Sequence, residues 1–194
     1  MMAVVTSTTP GPVADLERAF DAAATIVDAI PADRHDAPSP CADWTVAGVV
    51  EHVIDGNLAL ARSLCPDLAD VPDVAESLGP RFRSAAEALV AALGAPDVLG
   101  GTVTIPFGTV PAPIALQLRT VEALVHGWDV AVASGQDPTV LPADLAEAGI
   151  AFSGSMFATR DRAELPFGPA VPVPDSAPAI DRLAGLLGRT DRRH

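Results

Sequence analysis

The chain contains no tyrosine and, with all twelve of its basic residues arginine, no lysine. Schiff-base chemistry, a lysine general base and a tyrosine general acid are therefore excluded. Aromatic residues make up only 4%, too few for the stacking platforms of single-stranded nucleic-acid binding. Two cysteines, Cys41 and Cys65, supply neither a disulfide framework nor a cysteine-based zinc finger. Positive charge is scarce as well. Against 25 acidic residues, 12 cations leave a net charge of −13, which argues against nucleic-acid phosphates or an anionic membrane as partners. Apolar runs are broken by Gly, Pro or charge well short of a membrane span. Met1–Pro10 lacks a basic start and a sustained apolar stretch, so the expectation is a cytoplasmic protein with reduced thiols.

What is present is 49% apolar residues in a chain of 194, enough to bury a substantial core. One domain over residues 1–194 is expected, with a Pro-rich extension from residue 160 or so. Proline and glycine punctuate a series of helical periods. Pro12 to Ile30 carries Val13, Leu16, Phe20, Ala23 and Val27 at helical spacing, with Pro12 as a start and Pro31 as a stop. Thr45 is a candidate N-cap for a second helix over Val46–Leu64. A third runs over Leu78–Leu93, between Ser77 and Gly94. Thr102–Ile105 reads as a short extended segment. The fourth and longest helix is expected over Ile114–Ser134, closed by Gly135, and a weaker fifth over Asp144–Phe157. Ala179–Leu187 reads as a short last helix. No strand series could build a large sheet, so the fold class is all-α, a four-helix bundle with additional short helices.

Acid–base or metal chemistry must run on His, Asp, Glu, Cys or Arg. On the fourth helix, Arg119, Glu122, His126 and Asp129 fall within about 80° of arc at 100° per residue, a polar stripe flanking the apolar face. His52 lies beside Val49 and Val53 on the second helix and could face that stripe across the bundle. Two imidazoles and one carboxylate are the donor set of catalytic zinc sites that keep a fourth position open. A Glu and a His four apart are equally an ordinary surface ion pair, and a single His52 a hydrogen-bonded structural residue. Spacing alone leaves both readings standing. Trp44 and Trp128 read as bundle packing, Trp128 also as a substrate-stacking candidate beside the polar stripe. Asp129 would either orient a histidine or pair with Arg119. Cys41 reads as a small buried residue, and His35 and His194 as exposed. Asp15, Glu17, Asp21 and Asp28 read as a solvated face.

The run Pro40-Cys41-Ala42-Asp43-Trp44-Thr45-Val46, followed by Glu51-His52-Val53, resembles the N-terminal motif of the mycothiol-dependent maleylpyruvate isomerase family. Arg119-Thr120-Val121-Glu122-Ala123-Leu124-Val125-His126-Gly127-Trp128-Asp129-Val130-Ala131 resembles that family's second metal motif. Pro166-Phe167-Gly168, Val171-Pro172-Val173-Pro174 and Asp181-Arg182-Leu183 are similar to short actinobacterial members. The resemblance implies a DinB-like metal-binding bundle. It implies His52, Glu122 and His126 as ligands of one divalent ion, zinc first; the general affinity order makes nickel the second candidate, and Arg119, Asp129 and Trp128 lie around them on the fourth helix. It also implies mycothiol or another low-molecular-weight thiol as cosubstrate. The isomerases carry a further C-terminal domain, which a chain of 194 residues is not expected to include. The expectation is therefore a metal-dependent thiol transferase or isomerase-like enzyme acting on a small electrophile, as a monomer or homodimer. The alternative is a metal-binding protein without turnover, used for sensing, storage or partner binding.

Overall fold

The computed structural model describes residues 11–41, 43–66, 77–106, 108–159, 162 and 167–190. Within them the helices are α1 (Pro12–Asp28), α2 (Val46–Leu64), α3 (Leu78–Leu93), α4 (Ala112–Ser134), α5 (Ala143–Thr159) and α6 (Ala179–Leu186). Among the described residues the sheet is a two-stranded antiparallel hairpin, β1 (Thr102–Ile105) with β2 (Gly108–Pro111), Val103 facing Val110. The fold is all-α, as the helical periods require. No helix of the described residues is long and apolar enough to cross a membrane.

Helix ends follow local chemistry. The Thr45 hydroxyl accepts from the Gly48 N–H at 3.1 Å, so α2 begins where its cap dictates. Helix α1 stops two residues before the expected Ile30, because Ala29 and Ile30 tighten onto the carbonyls of Ile26 and Val27 ahead of Pro31. Helix α4 starts two residues earlier than expected. Pro113 sits in its first turn, where the missing N–H has no partner to lose. At its far end Gly135 adopts φ 78°, and the Gln136 and Gly135 N–H groups close onto Ala131 and Val132.

In the bundle α1 packs on α3 and α4, and α2 packs on the same two helices from the other side. Alanine faces such as Ala19, Ala23, Ala85, Ala92 and Ala123 keep these helices close, and Leu16, Val49, Leu89 and Leu124 fill the space between them. Gly127 is one such close approach; a Cβ there would meet Leu141 at 3.1 Å and Ala23 at 3.5 Å. Helices α5 and α6 pack on each other and on the outer side of α4. As a result α4 is enclosed on nearly every side from Val121 to Val132, and its polar stripe is drawn inside with it.

The segment before α2 is a tight loop. Ser39 N–H donates to the Trp44 carbonyl at 2.9 Å, Ser39 Oγ to the Cys41 carbonyl, and Ala47 N–H to the His35 carbonyl. Asp43 takes φ 67°, a left-handed conformation that aspartate tolerates better than most residues. This fold-back carries Cys41 and Trp44 over the first turns of α2, toward α4. His35 is half-buried in it rather than exposed, and His194 lies outside the described residues. Asp15 and Asp28 also depart from a merely solvated face, since they pair with Arg18 and Arg83.

Candidate metal centre

His52 from α2 meets Glu122 and His126 from α4. One donor atom from each of the three lies within 4.8 Å of the others. His52 Nε2 is 3.8 Å from Glu122 Oε2, and the two imidazole centroids are 5.1 Å apart at 77°. The i,i+4 spacing stacks Glu122 under His126 on one helix face, and α2–α4 packing adds the third group.

Each of the α4 groups is held by a neighbour. His126 Nδ1 lies 3.0 Å from Asp129 Oδ2. An ionised carboxylate only accepts, so Nδ1 carries the proton and donates, which leaves the Nε2 lone pair free to coordinate. Asp129 is itself fully buried and is met by Arg189 Nε and Nη2 at 3.3 Å. Glu122 receives Arg119 Nη1 at 2.6 Å. Arg119 also donates from Nη2 to Asn57 Oδ1 at 2.7 Å, and its guanidinium lies against Gly56. Burial pushes the Arg119 pKa below its ordinary value, and Glu122 opposes that shift.

Burial pushes the His52 pKa down, and the nearby His126 pushes it further, against the pull of Glu122. A neutral imidazole with a free lone pair is the form a metal needs. The donor set therefore fits a divalent cation: two oriented or neutral imidazoles and one carboxylate, gathered from two rigid helices. Cys41, His126 and Asp129 also come within 4.8 Å of one another. That second grouping fits poorly. Asp129 is already committed to Arg189 and His126, and burial raises the Cys41 thiol pKa.

Trp44 lies over both imidazoles, 4.4 Å from the His52 ring at 72° and stacked on His126 at 6.3 Å and 6°. It packs against the core as expected, and in addition it roofs the cluster. Trp128 goes the other way. Its indole is buried and donates to Asp181 on α6 at 2.7 Å, and it does not line the cavity beside the cluster. Asp129 orients a histidine and pairs with Arg189 rather than Arg119. Sequence reasoning missed Arg189 and Asn57, whose partners lie 60 and 62 residues away, and treated Cys41 as mere filling, although its sulfur lies 3.6 Å from Arg189 Nη2. The cluster opens on a cavity of about 750 Å³ bounded by α2, α4, α5, the hairpin and the segment through Phe167 and Arg189.

The model of the mycothiol maleylpyruvate isomerase N-terminal domain matches residues 16–80, a stretch that holds His52. Two proteins of Mycobacterium tuberculosis, from different strains and each named as uncharacterized, are 33% identical over 177 residues, covering 91% of this chain and 96% of theirs. No solved structure matches the chain.

Two outcomes are expected from this geometry. A Cβ on Gly56 would stand 2.8 Å from Arg119 Nη1, so Gly56→Ala must displace the guanidinium from Glu122 and Asn57. Thermal unfolding should show a loss of about 1–3 kcal/mol. Gly154→Ala, in open space on α5, should instead gain up to about 1 kcal/mol from helix propensity. Equal effects at both positions would contradict the packing of Arg119. In chelator-treated protein, the lowered His52 pKa has a definite sign. The unfolded chain takes up a proton near pH 6.5 that the folded chain refuses until lower pH. Urea stability should therefore fall as pH drops below about 6.5 and level off below the folded value. His52→Gln should make that fall shallower; an unchanged slope would contradict it.

Proposed function

The chain belongs to the family of the mycothiol maleylpyruvate isomerase N-terminal domain, and from that premise we propose a metal-dependent thiol-transfer enzyme acting on a small electrophile. His52, Glu122 and His126 hold one divalent ion in this reading. The observation that carries it is the meeting of three donor atoms within 4.8 Å beside a cavity. Zinc suits two imidazoles and a carboxylate, and nickel competes for the same donors through its higher intrinsic affinity.

Bound there, a divalent cation supplies the charge that favours a thiolate over a thiol at neutral pH. The chain's own residues do the rest. Asp129, backed by Arg189, keeps the proton on His126 Nδ1 and the lone pair of Nε2 toward the cluster. Arg119 donates to Glu122 and holds its carboxylate in place. Trp44 and the cavity wall limit water at the place where sulfur meets the electrophile. Transfer forms a carbon–sulfur bond, and the thiol proton ends on the acceptor or leaves with its departing group. A low-molecular-weight thiol such as mycothiol is the cosubstrate that family membership suggests. Three protein donors with an adjoining cavity favour turnover over storage or sensing, which would use a closed shell.

Protein purified without a metal-affinity column should carry about one divalent ion per chain by elemental analysis. His52→Ala and His126→Ala should each lower that content sharply, and His35→Ala should not. Full occupancy of His52→Ala at low free metal would contradict a site shared between α2 and α4. With cobalt in place, mycothiol should add a sulfur-to-metal charge-transfer band; its absence with every cellular thiol tried would remove the thiol-transfer reading and leave the metal site intact.

A further inference from the structure

The cavity beside the cluster is built mostly from hydrocarbon. Ile105, Ile114, Leu118, Phe152, Met156 and Phe167 form its walls away from the histidines. Its volume of about 750 Å³ falls in the range that encloses a drug-sized molecule. Ile114, one of the few large apolar side chains left exposed, belongs to this lining.

The hydroxyls and guanidinium groups on the walls are already engaged within the protein. The Thr104 hydroxyl bonds with that of Thr109 at 3.1 Å. Ser155 Oγ donates to the Ala151 carbonyl, and Thr159 Oγ1 to the carbonyls of Ser155 and Met156. Both cations on the lining are neutralised, Arg119 by Glu122 and Arg189 by Asp129. Among the described residues the lining thus presents no unpaired cation to a carboxylate or phosphate. Polar contact is concentrated at one place, the His52, Glu122 and His126 cluster with the Cys41 thiol nearby.

We infer that the acceptor taken by this cavity is an uncharged molecule with an apolar body and a single polar reactive end, the body against the α4–α5–hairpin wall and the end at the cluster. This rests on the proposed function for its reactive end only; the apolar body is argued from the lining itself. A dianionic acceptor is disfavoured on the same grounds, because a second carboxylate would be desolvated against apolar walls with no free cation among the described lining residues to meet it.

The test measures binding by the intact metal-loaded protein without thiol, using two probes that share a ring and a polar end. 2-Naphthol is uncharged; 6-hydroxy-2-naphthoate adds a carboxylate at the far end of the same ring. Calorimetry should give saturable binding of 2-naphthol and binding of the carboxylate weaker by about tenfold or more. Two cavity-filling variants locate the site: Ala59→Trp from the α2 side and Met156→Trp from α5. Each should weaken 2-naphthol by about tenfold with helix content and bound metal unchanged. Equal or tighter binding of the carboxylate would overturn the inference, as would no binding of 2-naphthol, or binding that both variants leave untouched. The thiol band described above is read separately. If it fails while 2-naphthol behaves as expected, the thiol-transfer reading falls and the apolar site stands; the reverse pattern removes only the present inference.

Discussion

Helix α4 carries Arg119, Glu122, His126 and Asp129 through the middle of an alanine-rich bundle, and the rest of the molecule is arranged so that each of these groups meets a polar or charged partner. Of their buried polar atoms, Arg119 Nε alone is left without a hydrogen bond. An isolated buried charge would cost several kcal/mol, enough to threaten a domain of ordinary stability. Arg119 answers Glu122, Asp129 answers His126, and Arg189 returns from the far end of the chain to answer Asp129. The remaining valence of the network is turned inward, toward His52.

That constraint explains features which otherwise look unrelated. Gly56 has no side chain because the Arg119 guanidinium occupies the space a Cβ would need. Helix α6 packs against α5 and α4, and directly after it Arg189 reaches back to Asp129, so the C-terminal segment is part of the polar network as well as a cover for the core. The loop before α2 folds back on itself and sets Trp44 over both imidazoles. Rigid helices fix the donors to the tolerance a metal site requires, and the aromatic roof and apolar cavity set what else can approach.

Much of this was legible in the sequence, for identifiable reasons. Thr45, Ser77, Gly94 and Gly135 mark helix ends by residue type, and α2 and α3 have the bounds their signals imply. Helix α4 begins two residues before the Ile114 that the apolar period implies, because Pro113 is accommodated in its first turn. The stripe of Arg119, Glu122, His126 and Asp129 followed from 100° per residue, and the same arithmetic explains why Trp128 packs in the core rather than beside the cavity: two residues beyond His126 is about 200° around the helix, on the opposite side. Its indole accordingly meets Asp181. Arg189 was out of reach, since nothing in local spacing announces a partner 60 residues away. Trp44 was visible in the motif, but its position over the rings depends on the left-handed turn at Asp43, which sequence pattern does not specify.

The account stands or falls on whether one ion is bound by both helices at once. X-ray absorption at the zinc edge of the metal-loaded protein reads that directly. Two imidazoles should appear through their outer-shell multiple scattering, with nitrogen and oxygen neighbours at about 2.0–2.2 Å and no sulfur until a thiol is added. Addition of mycothiol should then bring in one sulfur at about 2.3 Å. A spectrum with a single imidazole or none, unchanged in the His52→Ala protein, would contradict a site spanning α2 and α4.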